Sequence, residues 1–259
     1  MNSYELKVFG SRGSYSVFGK QYEEFGGQTN CYIIHRNDYA LILDCGSGLI
    51  CAKDLIKNCT KIDVLITHAH YDHIIGLLNT TLFPKTAEVN FYGAVEKWGR
   101  DGFELFREPF WPINPRRWKM NSIHETEIFT LNGDINVSAF ATKHSSDSYA
   151  YRVETPNKKI VLLSDFDNHV GIDLSFVESV DYLLYDGMFD EEGYQKHSTW
   201  GHSTWIEGCK IAKEYNVKNL IVTHLNPNYD DNKLLEMEKA SKKEFQESTF
   251  ARFGDSIEL

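Results

Sequence analysis

Residues 66–76 read Ile-Thr-His-Ala-His-Tyr-Asp-His-Ile-Ile-Gly, which sets His68, His70, Asp72 and His73 within six positions, directly after a short apolar run at 62–66. The run has the length and composition of a buried strand. His68 and His70 are two apart, so in an extended loop both imidazoles face the same way. A turn into a helix just afterwards would present the Asp72 carboxylate and the His73 imidazole to a second point nearby. Imidazole nitrogen and carboxylate oxygen are ligands for zinc and related first-row ions. The competing explanation is a polar loop with unrelated histidines, and the density of the cluster weighs against it. Four donors from one segment cannot complete two sites, so others are expected at further strand ends. His144 in Thr-Lys-His-Ser, Asp165 in Leu-Leu-Ser-Asp and His224 in Val-Thr-His-Leu each follow an apolar stretch, as His68 does.

The rest of the chain indicates what surrounds this cluster. Strands are expected at 4–9, at 31–35 and 39–44 as a hairpin, and at 62–66, 87–92, 125–130 and 135–141. A second hairpin is expected at 149–153 and 159–164, then strands at 182–185 and 219–223 and an edge strand within 251–259. Helical spacing appears at 49–56, 204–214 and 234–245, and residues 95–120 suggest a helix followed by an irregular aromatic loop. Two sheets packed face to face with helices outside would satisfy this order. With 259 residues, 42% of them hydrophobic, the chain suits one domain spanning 1–259.

The formal net charge of -10 argues against a large nucleic-acid footprint but not against a small phosphate-bearing substrate. Five cysteines, Cys31, Cys45, Cys51, Cys59 and Cys209, form no CxxC pair. No leader-like apolar core and no membrane-length apolar run is visible. These features predict a cytoplasmic protein with reduced, mostly buried thiols and no membrane partner. Monomer and homodimer both stay open.

The order His68-x-His70-x-Asp72-His73, then His144, Asp165 and His224, resembles the signature of the metallo-β-lactamase superfamily, and the likeness runs from Asp44 to His224. The resemblance implies an αββα sandwich of two mixed β-sheets, with metals at one end of the sheets. Carried over by position, His68, His70 and His144 would bind one divalent ion, and Asp72, His73 and His224 a second. Asp165 would bridge both. Zinc is the first expectation, with manganese or iron as alternatives. In the dizinc β-lactamase branch a cysteine stands at the position of Asp165, and none of the five cysteines lies there. In the diiron, flavodoxin-linked branch Glu stands at the position of His70, and that branch carries an extra domain.

Gly201-His202-Ser203-Thr204, about twenty residues before His224, resembles the phosphodiesterase branch that includes ribonuclease Z. There the histidine faces the scissile phosphate, which makes His202 the expected proton donor to the leaving oxygen or a stabiliser of phosphoryl charge. Its competing role is a cap on the following helix. Ribonuclease Z inserts a tRNA-gripping arm between the counterparts of His144 and Asp165, whereas here about twenty residues separate them, enough for one hairpin. That difference points to a small phosphodiester, such as a cyclic nucleotide, and away from extended nucleic acid. A hydroxide shared by the two ions would be the nucleophile, oriented by Asp72. Gly10-Ser11-Arg12-Gly13-Ser14 and the segment from Gly26 to Cys31 resemble a bacterial subgroup of such phosphodiesterases.

Asp44 could orient a ligand histidine or sit in a plain strand-end turn. Asp186 could support the metal end or His202. Arg12 could reach an anionic substrate or stay solvated, and aromatics within 103–118 could stack on a base or pack among themselves. Three rival activities remain: a nuclease acting on RNA or DNA ends, a glyoxalase II-like thioester or lactone hydrolase, and a metal-bearing binding or redox-sensing protein.

Overall fold

The computed structural model describes residues 3–95, 108, 118–125, 127–144, 147–167 and 171–259. Strand β2 (Cys31–Arg36) shows how the layers arise. Successive side chains alternate faces, and Cys31, Tyr32, Ile33 and Ile34 are all fully buried. A strand buried on both faces must lie between two layers. Tyr32 and Ile34 pack into the space between the sheets with Leu6, Val137, Tyr151 and Ile160. Cys31 and Ile33 pack outward with Leu49, Ala52 and Ile56.

The first sheet has seven strands in the order β14 (Ser256–Glu258), β1 (Glu5–Gly10), β2, β3 (Tyr39–Leu43), β4 (Lys61–Leu65), β5 (Glu88–Gly93) and β6 (Lys119–Ser122). The second runs β13 (Ser248–Phe250), β12 (Asn219–Thr223), β11 (Tyr182–Asp186), β10 (Lys159–Leu163), β9 (Asp147–Glu154), β8 (Ile135–Lys143) and β7 (Ile128–Leu131). Both sheets share one plan. From β14 to β3 and from β7 to β10 neighbours are antiparallel. From β3 to β6 and from β10 to β13 they are parallel. Helix α1 (Lys53–Ile56), entered through a 3-10 turn at Ser47–Ala52, covers the first sheet. Helices α4 (Trp205–Glu214) and α5 (Asp231–Glu244) cover the second through Cys209, Ala212, Leu234 and Met237. The expected αββα sandwich of two mixed sheets is present.

Parallel pairing aligns the carboxyl ends of β3 and β4. In the other sheet β10, β11 and β12 are parallel, and two antiparallel steps give β8 the same direction. Six strands of two sheets therefore deliver the loops that follow them to one end of the sandwich. Two further helices lie there, α2 (Tyr71–Ile74) and α3 (Glu191–His197).

Some elements differ from the sequence expectation. The strand expected at 125–130 begins only at Ile128, and the expected helix at 49–56 is 3-10 before its last turn. Helix α5 starts three residues early because the Asp230 side chain accepts from Lys233 N–H and caps it. Strands β6 and β13 and helix α3 have no counterpart in the sequence expectation. Of residues 95–120, Trp118 packs on Phe91 at 4.6 Å between ring centroids; Trp98, Phe103, Phe106, Phe110 and Trp111 lie outside the described residues. Four of the five cysteines are buried and all are free. Among the described residues, no helix is long and apolar enough to cross a membrane.

The C-terminal end is locked by a forked ion pair. Arg252 donates from Nη1 and Nη2 to the two Glu238 oxygens at 2.9 Å each, and Phe250 N–H donates to Glu238 at 3.0 Å. Burial opposes the charge on Glu238, but Arg252 and the Phe250 amide outweigh it and hold its pKa below the ordinary value. A depressed carboxylate stabilises the fold above its unfolded pKa, and that stabilisation is lost as pH falls through the folded value. Glu238→Gln should cost about 1.5–3 kcal/mol near neutral pH. The gap to wild type should narrow below a pH of roughly 4.3. Urea unfolding of both proteins across that range measures it; a pH-independent gap would contradict the assignment.

Candidate metal centre

The strand ends bring the seven candidate donors together. His68 and His70 lie in the extended stretch after β4, and Asp72 and His73 sit on α2. His144 directly follows β8, Asp165 lies two residues past β10, and His224 directly follows β12. One group, His68, His70, His144 and Asp165, has donor atoms all within 4.8 Å of one another; so has a second, Asp72, His73, Asp165 and His224. Asp165 is common to both and divides its oxygens between them. Its Oδ1 lies 3.2 Å from His73 Nε2 and 3.0 Å from His224 Nε2. Its Oδ2 lies 3.5 Å from Nε2 of both His68 and His144.

The donor set fits metal ions. His68 Nε2 is buried and makes no hydrogen bond, an arrangement costly for a polar atom with nothing to bind. His144 Nε2 faces His70 Nδ1 at 3.2 Å. In the second group positive charge is in demand. Burial opposes protonation of His73 and His224, yet carboxylates outweigh it. Asp165, Asp72 and Asp44 raise His73, and Asp165, Asp186 and Asp72 push His224 up to about 9. A cation would meet the same demand.

Surrounding groups fix the imidazoles. His73 Nδ1–H donates to Asp44 Oδ2 at 2.7 Å, which turns Nε2 toward Asp165. Asp44 is itself held by Thr67, whose N–H donates to Oδ1 at 2.8 Å and whose hydroxyl lies 3.0 Å from Oδ2. His144 Nδ1–H donates to the Gly201 carbonyl at 2.9 Å. Gly201 adopts φ 77°, and a Cβ there would come within 2.7 Å of the His144 ring. Asp44, Asp165 and His224 also have positive φ, at 58°, 51° and 52°. Each turns the backbone sharply just beyond a strand, a conformation non-glycine residues rarely adopt.

His202 lies in the loop before α4, nine-tenths buried. The helix cap is Thr204, whose side chain accepts from Glu207 N–H, so His202 is not the cap. Ser203 is anchored to the Tyr185 hydroxyl at 2.8 Å. His202 Nδ1–H donates to Asp186 Oδ2 at 2.9 Å, and Asp186 is fixed by Phe166 N–H and Met188 N–H. The His202 ring stacks on His224 at 4.8 Å and lies 5.3 Å from His144. His202, Asp186, Asp165 and His224 form a third close group.

Arg12 neither reaches toward a substrate nor stays solvated. It is fully buried and donates to the carbonyls of Gly26, Asn226 and Tyr229. Thr67 is not among the sequence candidates; Gly201 and Ser14, whose N–H donates to Asp72 Oδ2 at 2.7 Å, lie in the two glycine-containing segments singled out by resemblance, but without these contacts. Thr67 had one visible cue, its place directly before His68. The other two act through backbone atoms.

Residues 40–225 match the β-lactamase superfamily domain. Ribonuclease Z of Archaeoglobus fulgidus is 25% identical over 294 aligned positions, covering 91% of this chain and 90% of that protein. The probable metallo-hydrolase YhfI of Bacillus subtilis is 26% identical, covering 76% of this chain and 80% of its own. The crystal structure of YhfI superposes with a TM-score of 0.75 at 20% identity over the full length of both proteins. A diphosphatase of the PhnP family superposes with a TM-score of 0.74 at 20% identity, covering 99% of this chain and 98% of its own. With the domain match spanning most of its length, the chain belongs to the β-lactamase superfamily and is a metal-dependent hydrolase.

Proposed function

We propose that the protein is a two-metal phosphodiesterase acting on a small phosphodiester such as a cyclic nucleotide. The observation that carries this reading is His202, held by Asp186 against His224 and beside His144. A thioester releases a thiolate that needs little protonation, whereas a phosphodiester releases an alkoxide that an acid placed there would protonate. Two divalent ions, zinc first, would be held by the groups that share Asp165. Such ions would supply Lewis acidity, neutralising phosphate charge and making water a nucleophile at neutral pH.

The protein's own residues would do the rest. Asp186 takes the hydrogen bond from His202 Nδ1, so Nε2 is the atom left to give a proton to the leaving oxygen. In-line displacement places that oxygen opposite the attacking water. Asp72 is well buried, but His73 and His224 keep it ionised, so it can accept a hydrogen bond from that water and orient it. The topology supports a small substrate. Between β8 and Asp165 the described residues form only the β9–β10 hairpin. The alignment to Archaeoglobus fulgidus ribonuclease Z spans 294 positions, so that enzyme contains segments with no counterpart among these 259 residues.

Three outcomes are expected. The metal-loaded protein should hydrolyse bis-p-nitrophenyl phosphate or a cyclic nucleotide faster than a thioester or a short RNA. Turnover of the thioester alone would remove the phosphodiesterase reading, and preference for RNA ends would make it a nuclease. His202→Ala should keep its metal and lower turnover by roughly 10²–10⁴-fold, the range of a general acid. The loss should shrink for p-nitrophenyl esters, whose leaving group needs little protonation; equal losses on good and poor leaving groups would exclude the acid role. Asp44→Ala should weaken metal binding by about 10–100-fold, because the His73 ring loses its acceptor. Competition with a chromophoric chelator reads that change, and unaltered affinity would show that Asp44 does not orient His73.

A further inference from the structure

The Gly-Ser-Arg-Gly-Ser segment is unused in the mechanism above, yet it reaches the metal centre. Residues 11–14 thread between two other parts of the fold. Ser11 and Arg12 N–H both donate to the Gln28 carbonyl at 3.0 Å. On the other side Leu225 N–H donates to Ser11 O at 2.7 Å, and Gly13 N–H donates to Leu225 O at 3.0 Å. Leu225 is the residue after His224, so this ladder clamps the backbone where the imidazole leaves it. The buried Arg12 guanidinium extends the clamp to the Asn226 and Tyr229 carbonyls, at 3.1 and 2.7 Å.

Gly13 lies against the His224 ring. A Cβ at this position would fall 2.3 Å from Cε1, 2.5 Å from Nδ1 and 2.9 Å from Nε2. The imidazole therefore rests directly on the backbone, while the His202 ring stacks on it at 4.8 Å. The next residue, Ser14, has φ 60° and directs its N–H to Asp72 Oδ2 at 2.7 Å. Consecutive residues of one strap thus touch two donors of the same group, the one formed by Asp72, His73, Asp165 and His224. The other group is steadied elsewhere, His144 by the Gly201 carbonyl and His68 beside Thr67.

We infer that residues 11–14 are the positioning strap of the Asp72/His73/His224 metal position alone: Gly13 sets the His224 ring and Ser14 N–H sets the Asp72 carboxylate. The inference rests on the two-ion reading. A methyl group on residue 13 must push the His224 ring out of place, because what it meets is a ring held by its own backbone ladder. Loss of the residue 14 donor frees the Asp72 carboxylate to rotate. Neither change touches His68, His70 or His144.

The test is zinc binding by the full-length protein, read by chelator competition and elemental analysis, for wild type, Gly13→Ala, Ser14→Gly and a protein in which the Gly13–Ser14 amide is replaced by an ester. Wild type should bind two zinc ions. Gly13→Ala should keep one at wild-type affinity and bind the other about 10–100-fold more weakly, the usual effect of disturbing a ligand's support. The Gly13–Ser14 ester puts an oxygen in place of the Ser14 N–H, leaves the side chain and the positive φ available, and should do the same, which decides the matter if Gly13→Ala fails to fold. Ser14→Gly retains the N–H and tolerates the positive φ, so it should bind both ions as wild type does. Two ions at wild-type affinity in both Gly13→Ala and the Gly13–Ser14 ester, or parallel weakening of both ions, overturns the strap. A wild-type protein that binds one ion overturns the two-ion reading first, and the strap with it.

Discussion

Asp165 is a buried carboxylate that gives one oxygen to each of two imidazole groups. Burial alone would drive it to pick up a proton; His224, His73 and His68 prevent that and keep it ionised. A charge so placed sets the terms for everything near it. Four imidazoles must converge from both sheets, so the strands that carry them must end at one level. The parallel halves of the two sheets do this, since neighbours that run the same way end together. The sandwich is thus the scaffold that lets donors far apart in sequence share one acceptor, from His68 to His224.

The two sheets are also joined near the C-terminus. Strand β13 enters the second sheet and β14 the first, with Ala251 to Asp255 crossing between them. In that crossing Val8 N–H donates to Asp255 O, and Gly254 N–H donates to Val8 O. The fork between Glu238 and Arg252 lies beside it. The last residues therefore close the sandwich and complete the recurrence seen in strand direction, although no repeat is visible in the sequence.

How much could be read in advance depended on where each feature stores its information. Metal donors are few in type and sit after apolar runs, so all seven candidates stood out, and the structure brings them together. Strands buried on both faces announce themselves by composition. Helix α3 does not, because none of its residues is buried and no apolar period marks it. Strand β6 is polar and partly exposed, and β13 has three residues. Arg12 was unreadable for a different reason: its acceptors are backbone carbonyls of residues 26, 226 and 229, which only tertiary folding brings near. Ser14 contributes its backbone N–H and Gly201 its backbone carbonyl. Nearly every residue type carries those groups, so residue identity does not reveal the contacts, although both residues stand in segments that the resemblance singles out.

The left-handed turns at Asp44, Asp165 and His224 place function and folding in opposition. At each a glycine would relax the backbone, and each strained residue costs on the order of 1–3 kcal/mol. Together they take up an amount comparable with the net stability of an ordinary domain, roughly 5–15 kcal/mol. Their side chains cannot be given up, since two are candidate ligands and the third holds His73. The centre is thus a local weak point that the rest of the sandwich keeps closed. A sequence chosen for stability alone would erase the active end first and leave the double sheet intact.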